Sequence, residues 1–181
     1  MVQNENLDYA TLGGGCFWCI EAVFSKLRGI HSVLTGYAGG HLTNPTYLDV
    51  ITGRTGHAEV AQLAYDPSVI GFGEVLDVFF HIHDPTTLNR QGADVGTQYR
   101  SIVLYHNQQQ LNIAHEVTNE IETSGIWKAP LVTEIAPLIE FYKAEEHHQH
   151  YYQKNPNQPY CAFVIEPKLH KISKLFGDKF S

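Results

Sequence analysis

The stretch that organises the chain is Gly13-Gly14-Gly15-Cys16-Phe17-Trp18-Cys19, in which three glycines run into a cysteine, two aromatic residues and a second cysteine. An extended-looking segment, 7–12, precedes it, and apolar spacing from Phe17 to Leu27 predicts a helix that ends near Gly29. Cys16 is therefore expected at a helix N-terminus, where free backbone N–H groups and the helix dipole favour a thiolate. Glycines before it allow a tight turn that leaves the sulfur uncovered. The stretch indicates a reactive cysteine.

The length, composition and charge of the chain limit the classes of protein to which it can belong. Its 181 residues, 43% of them hydrophobic, suffice for one globular domain with a real core, which we expect over residues 1–181. A net charge of -7 without a dense basic run argues against nucleic-acid binding. No apolar run approaches the roughly 18 residues that span a membrane, and the polar segment 1–6 does not resemble a signal peptide. We expect a cytoplasmic monomer with neither nucleic-acid nor membrane partners.

The order of the predicted elements indicates an α+β fold. Strands are predicted at 7–12, 31–38, 58–65 and 101–105, and helices after Cys16 and over 72–82. This β-α-β-β-α-β order is typical of the ferredoxin-like fold, an α/β two-layer sandwich in which helices cover one face of a mostly antiparallel sheet. Extra C-terminal helices and a loop-rich tail follow this core. A helix is predicted over 107–122, a strand at 131–135 and a polar helix over 142–152. The tail consists of a loop over 155–160, a short extended segment from Cys161 and a helix that starts at Pro167.

The three cysteines, an odd number, indicate free or cycling thiols rather than a disulfide scaffold. The alternative for Cys16 is a buried cysteine that packs as a small hydrophobe, but the glycines and the helix start favour a functional thiol. Cys19 fits a core position and also a Cys-x-x-Cys redox pair, and the local sequence leaves both open. Phe17 and Trp18 likewise fit either the core or the wall of an apolar pocket for a small group.

Several polar residues are further candidates for chemistry. Glu59 is either a solvated residue at a strand end or a buried carboxyl, whose raised pKa would make it a general acid. Asp94 and Tyr99 belong to a long polar loop of the kind that carries function on a rigid scaffold. The 11 histidines lack metal-site spacing, since the chain has neither a His-Glu-x-x-His motif nor a second Cys-x-x-Cys pair, and we expect no metal.

Seven ordered blocks over nearly the whole chain resemble the A-type peptide methionine sulfoxide reductases. The blocks are Gly15-Cys16-Phe17-Trp18, Gly36-Tyr37-Ala38-Gly39-Gly40, Asn44-Pro45-Thr46-Tyr47, Thr55-Gly56-His57-Ala58-Glu59, Phe80 through Asp84-Pro85-Thr86, Asp94-Val95-Gly96-Thr97-Gln98-Tyr99-Arg100, and Phe141-Tyr142-Lys143-Ala144-Glu145-Glu146-His147. Together they are far more specific than any single block.

The resemblance implies an enzyme that reduces the S epimer of methionine sulfoxide, free or in proteins, to methionine. Cys16 would be the nucleophile that attacks the sulfoxide sulfur. Phe17 and Trp18 would hold the terminal methyl group of the substrate. The groups that bind and protonate the sulfoxide oxygen would be Glu59, Tyr47 and Tyr99, with Asp94 helping to hold the site together.

The resemblance also implies that a second thiol traps the sulfenic acid left on Cys16. The resulting disulfide would be exchanged with thioredoxin or another dithiol, so that no other cofactor is needed. In many family members the resolving cysteine lies in a C-terminal loop, and the Asn- and Pro-rich segment 155–161 is similar to that loop, which favours Cys161. Cys19 stays open as a nearer partner or as a relay.

Two other functions stay open on the residues themselves. One is a different thiol oxidoreductase or a cysteine-dependent acyl-transfer enzyme, with His57 or Cys19 as the partner of Cys16. The other is a non-catalytic zinc-binding or interaction module.

Overall fold

A mixed sheet covered by helices makes up most of residues 6–180, the part of the chain that the computed structural model describes. Residues 1–5, which carry most of the N-terminal segment judged unlike a signal peptide, lie outside this range. The strands are β1 (Asp8–Gly13), β2 (Ile30–Ala38), β3 (Ala58–Tyr65), β4 (Arg90–Gln91), β5 (Asp94–Val95), β6 (Ile102–Tyr105), β7 (Glu134–Pro137) and β8 (Phe141–Lys143). The α-helices are α1 (Phe17–Phe24), α2 (Tyr47–Val50), α3 (Phe72–Ile82), α4 (Gln108–Ser124), α5 (Tyr151–Lys154) and α6 (Glu166–Leu175).

The main sheet has the strand order β7-β6-β1-β3-β2-β8. Its pairs are antiparallel except β6 with β7, which run parallel. β4 and β5 form a separate short antiparallel pair. The chain is thus a mixed α/β fold with a mixed sheet and several helices. Within it β3 lies between β1 and β2, so that Glu59 of β3 pairs across the sheet with Tyr37 of β2.

Most of the core lies between one face of the sheet and the helices. Successive strand residues point to opposite faces, so Leu12 of β1 and Leu63 of β3 both face the helices. Apolar stripes of α1, α3, α4 and α6 bury against them in the same cluster. A smaller cluster, which includes Val60 and Ile102, covers the other face. Over residues 6–180, no helix is both long and apolar enough to cross a lipid bilayer.

The predicted polar helix over 142–152 is wrong. Phe141–Lys143 is instead strand β8, in which Tyr142 pairs with Tyr37 at the edge of the sheet. A short 3-10 turn, Glu146–His148, and the four-residue helix α5 follow it. The Gln149 side chain exchanges hydrogen bonds with the backbone of Thr35 at 3.0 Å in each direction. These contacts with β2 are tertiary, and they override the helical spacing of the segment.

Three other boundaries differ from the sequence prediction. Helix α1 ends at Phe24 rather than near Gly29. The strand predicted at 131–135 lies instead at Glu134–Pro137, where it pairs with β6. The short extended segment predicted from Cys161 is helical: Cys161–Ile165 forms a π-helical turn that continues into α6. Residues in this turn are buried on the side that faces α1, so packing decides their conformation.

The glycine loop between β1 and α1 packs against the sheet and α3 with no space for side chains. A Cβ on Gly14 would lie 2.8 Å from the ring of His83, and Gly15 has a φ of +91°. His83 is itself held, since its Nδ1 lies 2.6 Å from the carbonyl of Phe79 and its Nε2 2.7 Å from the Ser101 hydroxyl. Burial lowers the pKa of His83 to about 4, so the ring is neutral. The loop therefore sets the position of Cys16.

We predict that Gly14→Ala destabilises the fold by about 1–3 kcal/mol, because the added methyl group overpacks against a fixed ring. The matched control is Gly73→Ala in α3, where a Cβ would lie 3.7 Å from Ile113, an ordinary contact. That control should gain about 0.5–1 kcal/mol from helix propensity. Urea unfolding of both variants measures the difference, and equal stability would contradict the close packing of the loop.

Candidate active site

One cavity of about 160 Å³ brings together most of the residues singled out in the sequence. Its lining residues are Cys16, Phe17, Trp18, Tyr47, Glu59, Asp94, Tyr99 and Tyr160. Cys19 and Cys161 are not among them. A larger cavity of about 460 Å³, on the far side of the sheet beside Ala136, is lined by no cysteine. The small cavity is therefore the candidate active site.

Cys16 is the residue immediately before α1, with φ -62° and ψ 128°, so it lies at a helix start as the sequence predicted. Its thiol is not held as a thiolate, however. Burial raises the pKa of Cys16 well above its ordinary value, and a charge on Glu59, when that carboxyl is ionised, raises it further. The Trp18 backbone N–H and the Tyr160 hydroxyl lower this pKa, but by less. The helix start thus acts in the expected direction, towards a thiolate, but desolvation opposes it and has the larger effect.

Glu59 lies on β3 with 2% of its surface exposed, which rules out the solvated strand end. Its Oε1 accepts a hydrogen bond from the Phe17 backbone N–H at 3.2 Å. Burial raises the pKa of Glu59 to about 8; the Phe17 N–H opposes this rise and the charge of Asp94 adds to it. Glu59 is thus a protonated carboxylic acid at neutral pH and can donate a proton into the cavity.

Two tyrosines add phenol groups to the same cavity. Tyr47 is the first residue of α2, whose start is fixed by reciprocal hydrogen bonds between Thr46 and Asp49. Tyr99 ends a 3-10 turn at Thr97–Tyr99. Burial, followed by the charge of Glu59, raises the pKa of both tyrosines, so both remain neutral hydrogen-bond donors.

Phe17 and Trp18 form the apolar wall of the cavity, and both rings are held in place. The ring of Phe17 is buried, with its centroid 5.8 Å from that of Tyr37. Trp18 stacks on Tyr151, with ring centroids 3.6 Å apart and an angle of 5° between planes. Its Nε1–H donates to Nδ1 of His148 at 3.2 Å. Such a fixed aromatic surface suits a small apolar group.

The segment 145–151 supports the cavity, although the sequence analysis considered its histidines only as possible metal ligands. Glu145 accepts hydrogen bonds from the Tyr37 hydroxyl at 2.9 Å and the Tyr47 backbone N–H at 3.0 Å. Buried Glu21 of α1 accepts the backbone N–H of His150 at 3.0 Å. No cluster of three or more potential ligands within residues 6–180 is arranged to hold a metal ion. The resemblance block at 141–147 was the signal that this segment mattered.

Tyr160 is a cavity residue that the sequence analysis missed, because it lay in a segment expected to be a loop. Its hydroxyl donates to Oδ2 of Asp94 at 3.3 Å and lies 3.6 Å from Sγ of Cys19. Its ring packs edge-on against Trp18, with centroids 5.8 Å apart. Only its position next to Cys161 in the sequence pointed to it.

The other two thiols are buried behind the cavity, and all three cysteines are free. Cys19 and Cys161 are 2% and 0% exposed. The segment that carries Cys161 ends in a packed π-helical turn rather than in the expected loop. A charge on Cys19 would raise the pKa of Cys16 and also that of Cys161, so Cys19 is electrostatically coupled to both of the other thiols.

His57 does not serve as a partner of Cys16. Its Nδ1 accepts the Gly40 backbone N–H at 2.9 Å, and its Nε2 lies 2.7 Å from the carbonyl oxygen of Leu42. Both ring nitrogens are therefore occupied by the backbone, and the ring does not line the cavity.

Comparisons with known proteins agree on one family. Residues 8–180 match the family profile described as peptide methionine sulfoxide reductase. A protein named peptide methionine sulfoxide reductase MsrA from Saccharolobus solfataricus is 57% identical, over 96% of this chain and 97% of that protein. The crystal structure of reduced Mxr1 from Saccharomyces cerevisiae is similar, with a TM-score of 0.82 and 38% identity over 89% of this chain and 92% of that chain. Mxr1 in complex with Trx2 gives a TM-score of 0.59 and 30% identity over 83% and 88%.

We predict that Glu59→Gln removes a pH dependence of stability. The unfolded chain ionises Glu59 near 4.5, whereas the folded protein does so near 8, so the folded state loses stability as pH rises between these values. Below pH 4.5 the carboxyl is neutral in both states and this loss is absent. Relative to Glu59→Gln, the wild-type free energy of unfolding should fall by up to about 1.4 kcal/mol per pH unit in this window. Urea unfolding of both proteins from pH 4.5 to 8 measures this difference. If the free energies of unfolding of the two proteins changed in parallel with pH, Glu59 would be ionised in the folded state.

Proposed function

The chain belongs to the peptide methionine sulfoxide reductase family and is a methionine sulfoxide reductase, and on this premise we propose that it reduces the S epimer, free or in oxidised proteins, with Cys16 as the nucleophile. One observation carries the proposal. A single cavity combines a thiol, a carboxylic acid that is neutral at pH 7, the phenols of Tyr47 and Tyr99, and an aromatic wall. Each of these groups answers one requirement of sulfoxide reduction.

The first requirement is an acid, because a sulfoxide sulfur is a poor electrophile until its oxygen is protonated. Glu59 donates that proton, and the hydroxyls of Tyr47 and Tyr99 bind the oxygen as it gains charge. The sulfur of Cys16 attacks the sulfoxide sulfur, and its own proton restores Glu59. Methionine leaves reduced by two electrons, and Cys16, oxidised by two, retains the oxygen as a sulfenic acid.

The preference for one epimer follows because the methyl group, the oxygen and the attacking thiol each have a fixed side of the sulfoxide sulfur. The methyl group rests on the wall formed by Phe17 and Trp18, and the Trp18 ring is stacked on Tyr151 and hydrogen-bonded to His148. The oxygen faces the acid and the phenols, and Cys16 approaches from the start of α1. In the opposite epimer, oxygen and methyl exchange places, so an oxygen would meet the aromatic wall without a hydrogen-bond donor.

A second thiol completes the cycle by condensing with the sulfenic acid, and the disulfide is then reduced by thioredoxin or another dithiol. The complex of the relative Mxr1 with Trx2 supports thioredoxin as the reductant. We propose that Cys161 belongs to the disulfide that the external dithiol reduces, so that recycling requires it, and that no cofactor is used. Asp94 holds the site together through its hydrogen bond with Tyr160.

Several further expectations remain proposals. We propose that strands β6-β1-β3-β2, each antiparallel to its neighbours, form a ferredoxin-like part of the fold with α1 and α3. The single domain over 1–181, the monomeric state, the cytoplasmic location and the lack of nucleic-acid or membrane partners rest on composition. The alternative activity is that of a different thiol oxidoreductase or an acyl-transfer enzyme. Both ring nitrogens of His57 are occupied by the backbone, which argues against an enzyme in which His57 is the base for Cys16.

The proposed activity is tested with resolved epimers of methionine sulfoxide and dithiothreitol. We expect methionine from the S epimer and a rate at least about 100-fold lower from the R epimer, because two groups would be mismatched in a desolvated site. Chromatography of methionine measures both rates. Absence of product from the S epimer would reject the proposal, and thioester hydrolysis instead would favour an acyl-transfer enzyme.

The recycling step is tested with Cys161→Ser. With thioredoxin as the reductant, we expect this variant to form about one methionine per protein and then to stop. Without Cys161, the buried oxidised thiol cannot exchange with thioredoxin. Methionine formed per enzyme, followed in time with wild type as the control, measures this. Sustained thioredoxin-linked turnover in the variant would assign the recycling role to Cys19.

A further inference from the structure

A chain of polar contacts joins Cys19 to the active-site cavity through Tyr160. The hydroxyl oxygen of Tyr160 is 3.6 Å from Sγ of Cys19 and 3.3 Å from Oδ2 of Asp94. We propose that Tyr160 is a catalytic residue of the thiol step: its phenol carries the proton of Cys19 to Asp94, so that Cys19 is the first thiol to trap the sulfenic acid on Cys16. This inference rests on the proposed function and assigns the order of its thiols.

The direction of the chain follows from the number of protons on a phenol. Tyr160 has a single O–H, which it donates to the carboxylate of Asp94. Its oxygen is then left to accept from Cys19, whose sulfur lies 3.6 Å away, and we infer that the thiol S–H is directed along Cys19–Tyr160–Asp94 towards the cavity. Asp94 lines that cavity together with Cys16. Proton loss from a buried thiol therefore has a path that ends where the sulfenic acid forms.

Cys19 needs such a path because it is buried. Its pKa is raised by burial, so it does not ionise at neutral pH without a proton acceptor. The positive charge of Lys168, from α6, lowers this pKa and would stabilise the thiolate once the proton has left. The Tyr160 hydroxyl lowers the pKa of both Cys16 and Cys19, and Tyr160 lines the cavity together with Cys16.

Position also favours Cys19 over Cys161 for the first step. Cys19 lies one turn from Cys16, and its backbone N–H donates to the Cys16 carbonyl at 3.1 Å. A Cys-x-x-Cys pair at a helix start forms a disulfide readily. Cys161 is fully buried in its π-helical turn and would have to leave the core to reach the cavity.

The proposed step balances as follows. The Cys19 thiolate attacks the sulfur of the Cys16 sulfenic acid, the S–S bond forms and the S–O bond breaks. The departing hydroxide takes the proton that passed through Tyr160 to Asp94 and leaves as water. Cys161 then attacks Cys19, which frees the Cys16 thiol and leaves a Cys19–Cys161 disulfide for the external dithiol.

The test follows one turnover without added reductant. Reduced protein receives one equivalent of methionine S-sulfoxide; methionine is measured, and the sulfenic acid is trapped with dimedone and counted by mass spectrometry. Tyr160→Phe keeps the ring against Trp18 but cannot relay a proton. Counted per methionine formed, its sulfenic acid should persist about 100-fold longer than that of the wild type, the loss expected for a positioned proton-transfer group.

The matched control is Tyr152→Phe, which also removes a phenol–carboxylate hydrogen bond, to Glu166, in the same part of the chain but at no thiol. It should trap the sulfenic acid at the wild-type rate. Cys19→Ser and Asp94→Asn should both prolong the sulfenic acid, and Asp94→Asn tests the path even if Tyr160→Phe does not fold.

Wild-type trapping in Tyr160→Phe, or a Cys16–Cys161 disulfide formed at the wild-type rate in Cys19→Ser, would overturn the inference while leaving the proposed function intact. Absence of methionine from the wild-type protein would reject the proposed function itself.

Discussion

The site depends on the desolvation of one carboxyl group. Glu59 lies on a central strand, paired across the sheet with Tyr37 and covered by the start of α1. Burial there holds its proton at neutral pH. The same desolvation keeps Cys16 protonated and the neighbouring tyrosines neutral. Beside the Asp94 carboxylate, the resting cavity thus presents neutral proton donors around a thiol, which suits a substrate whose oxygen must be protonated before its sulfur reacts.

Burying so many polar groups requires an outer layer that satisfies them, and the segment 145–151 provides most of it. Glu145 accepts from Tyr37 and Tyr47, while Glu21 of α1 accepts from the backbone beyond His148. The carboxylates of Glu145 and Glu21 are both paired in this way, which offsets the cost of removing them from water. The layer also determines which way the Trp18 ring faces, so the shape of the aromatic wall depends on residues more than 120 positions away in the sequence.

The three thiols differ from the acid in their position relative to the cavity. Cys16 faces the cavity, whereas Cys19 and Cys161 lie in the hydrophobic core, where they react only if a proton path or a conformational change reaches them. The π-helical turn at Cys161 is an irregular segment next to a functional site, as such turns often are. The substrate is thus reduced in the cavity, whereas the oxidised state passes between thiols in the core. Tyr160 lines the cavity and also contacts Cys19.

Local sequence determined the elements of the sheet up to β6, the place of Cys16 at a helix start, and the blocks that resemble the reductase family, because glycine turns and apolar periodicity act over short distances. It could not determine the ionisation of Cys16 or Glu59, because desolvation depends on what packs over them. It also gave the wrong structure for 142–152 and for the turn at Cys161, where contacts with β2 and α1 outweigh local spacing. Only the tertiary structure brings Tyr160 to Cys19 and Asp94, since three separate segments must meet to make that contact.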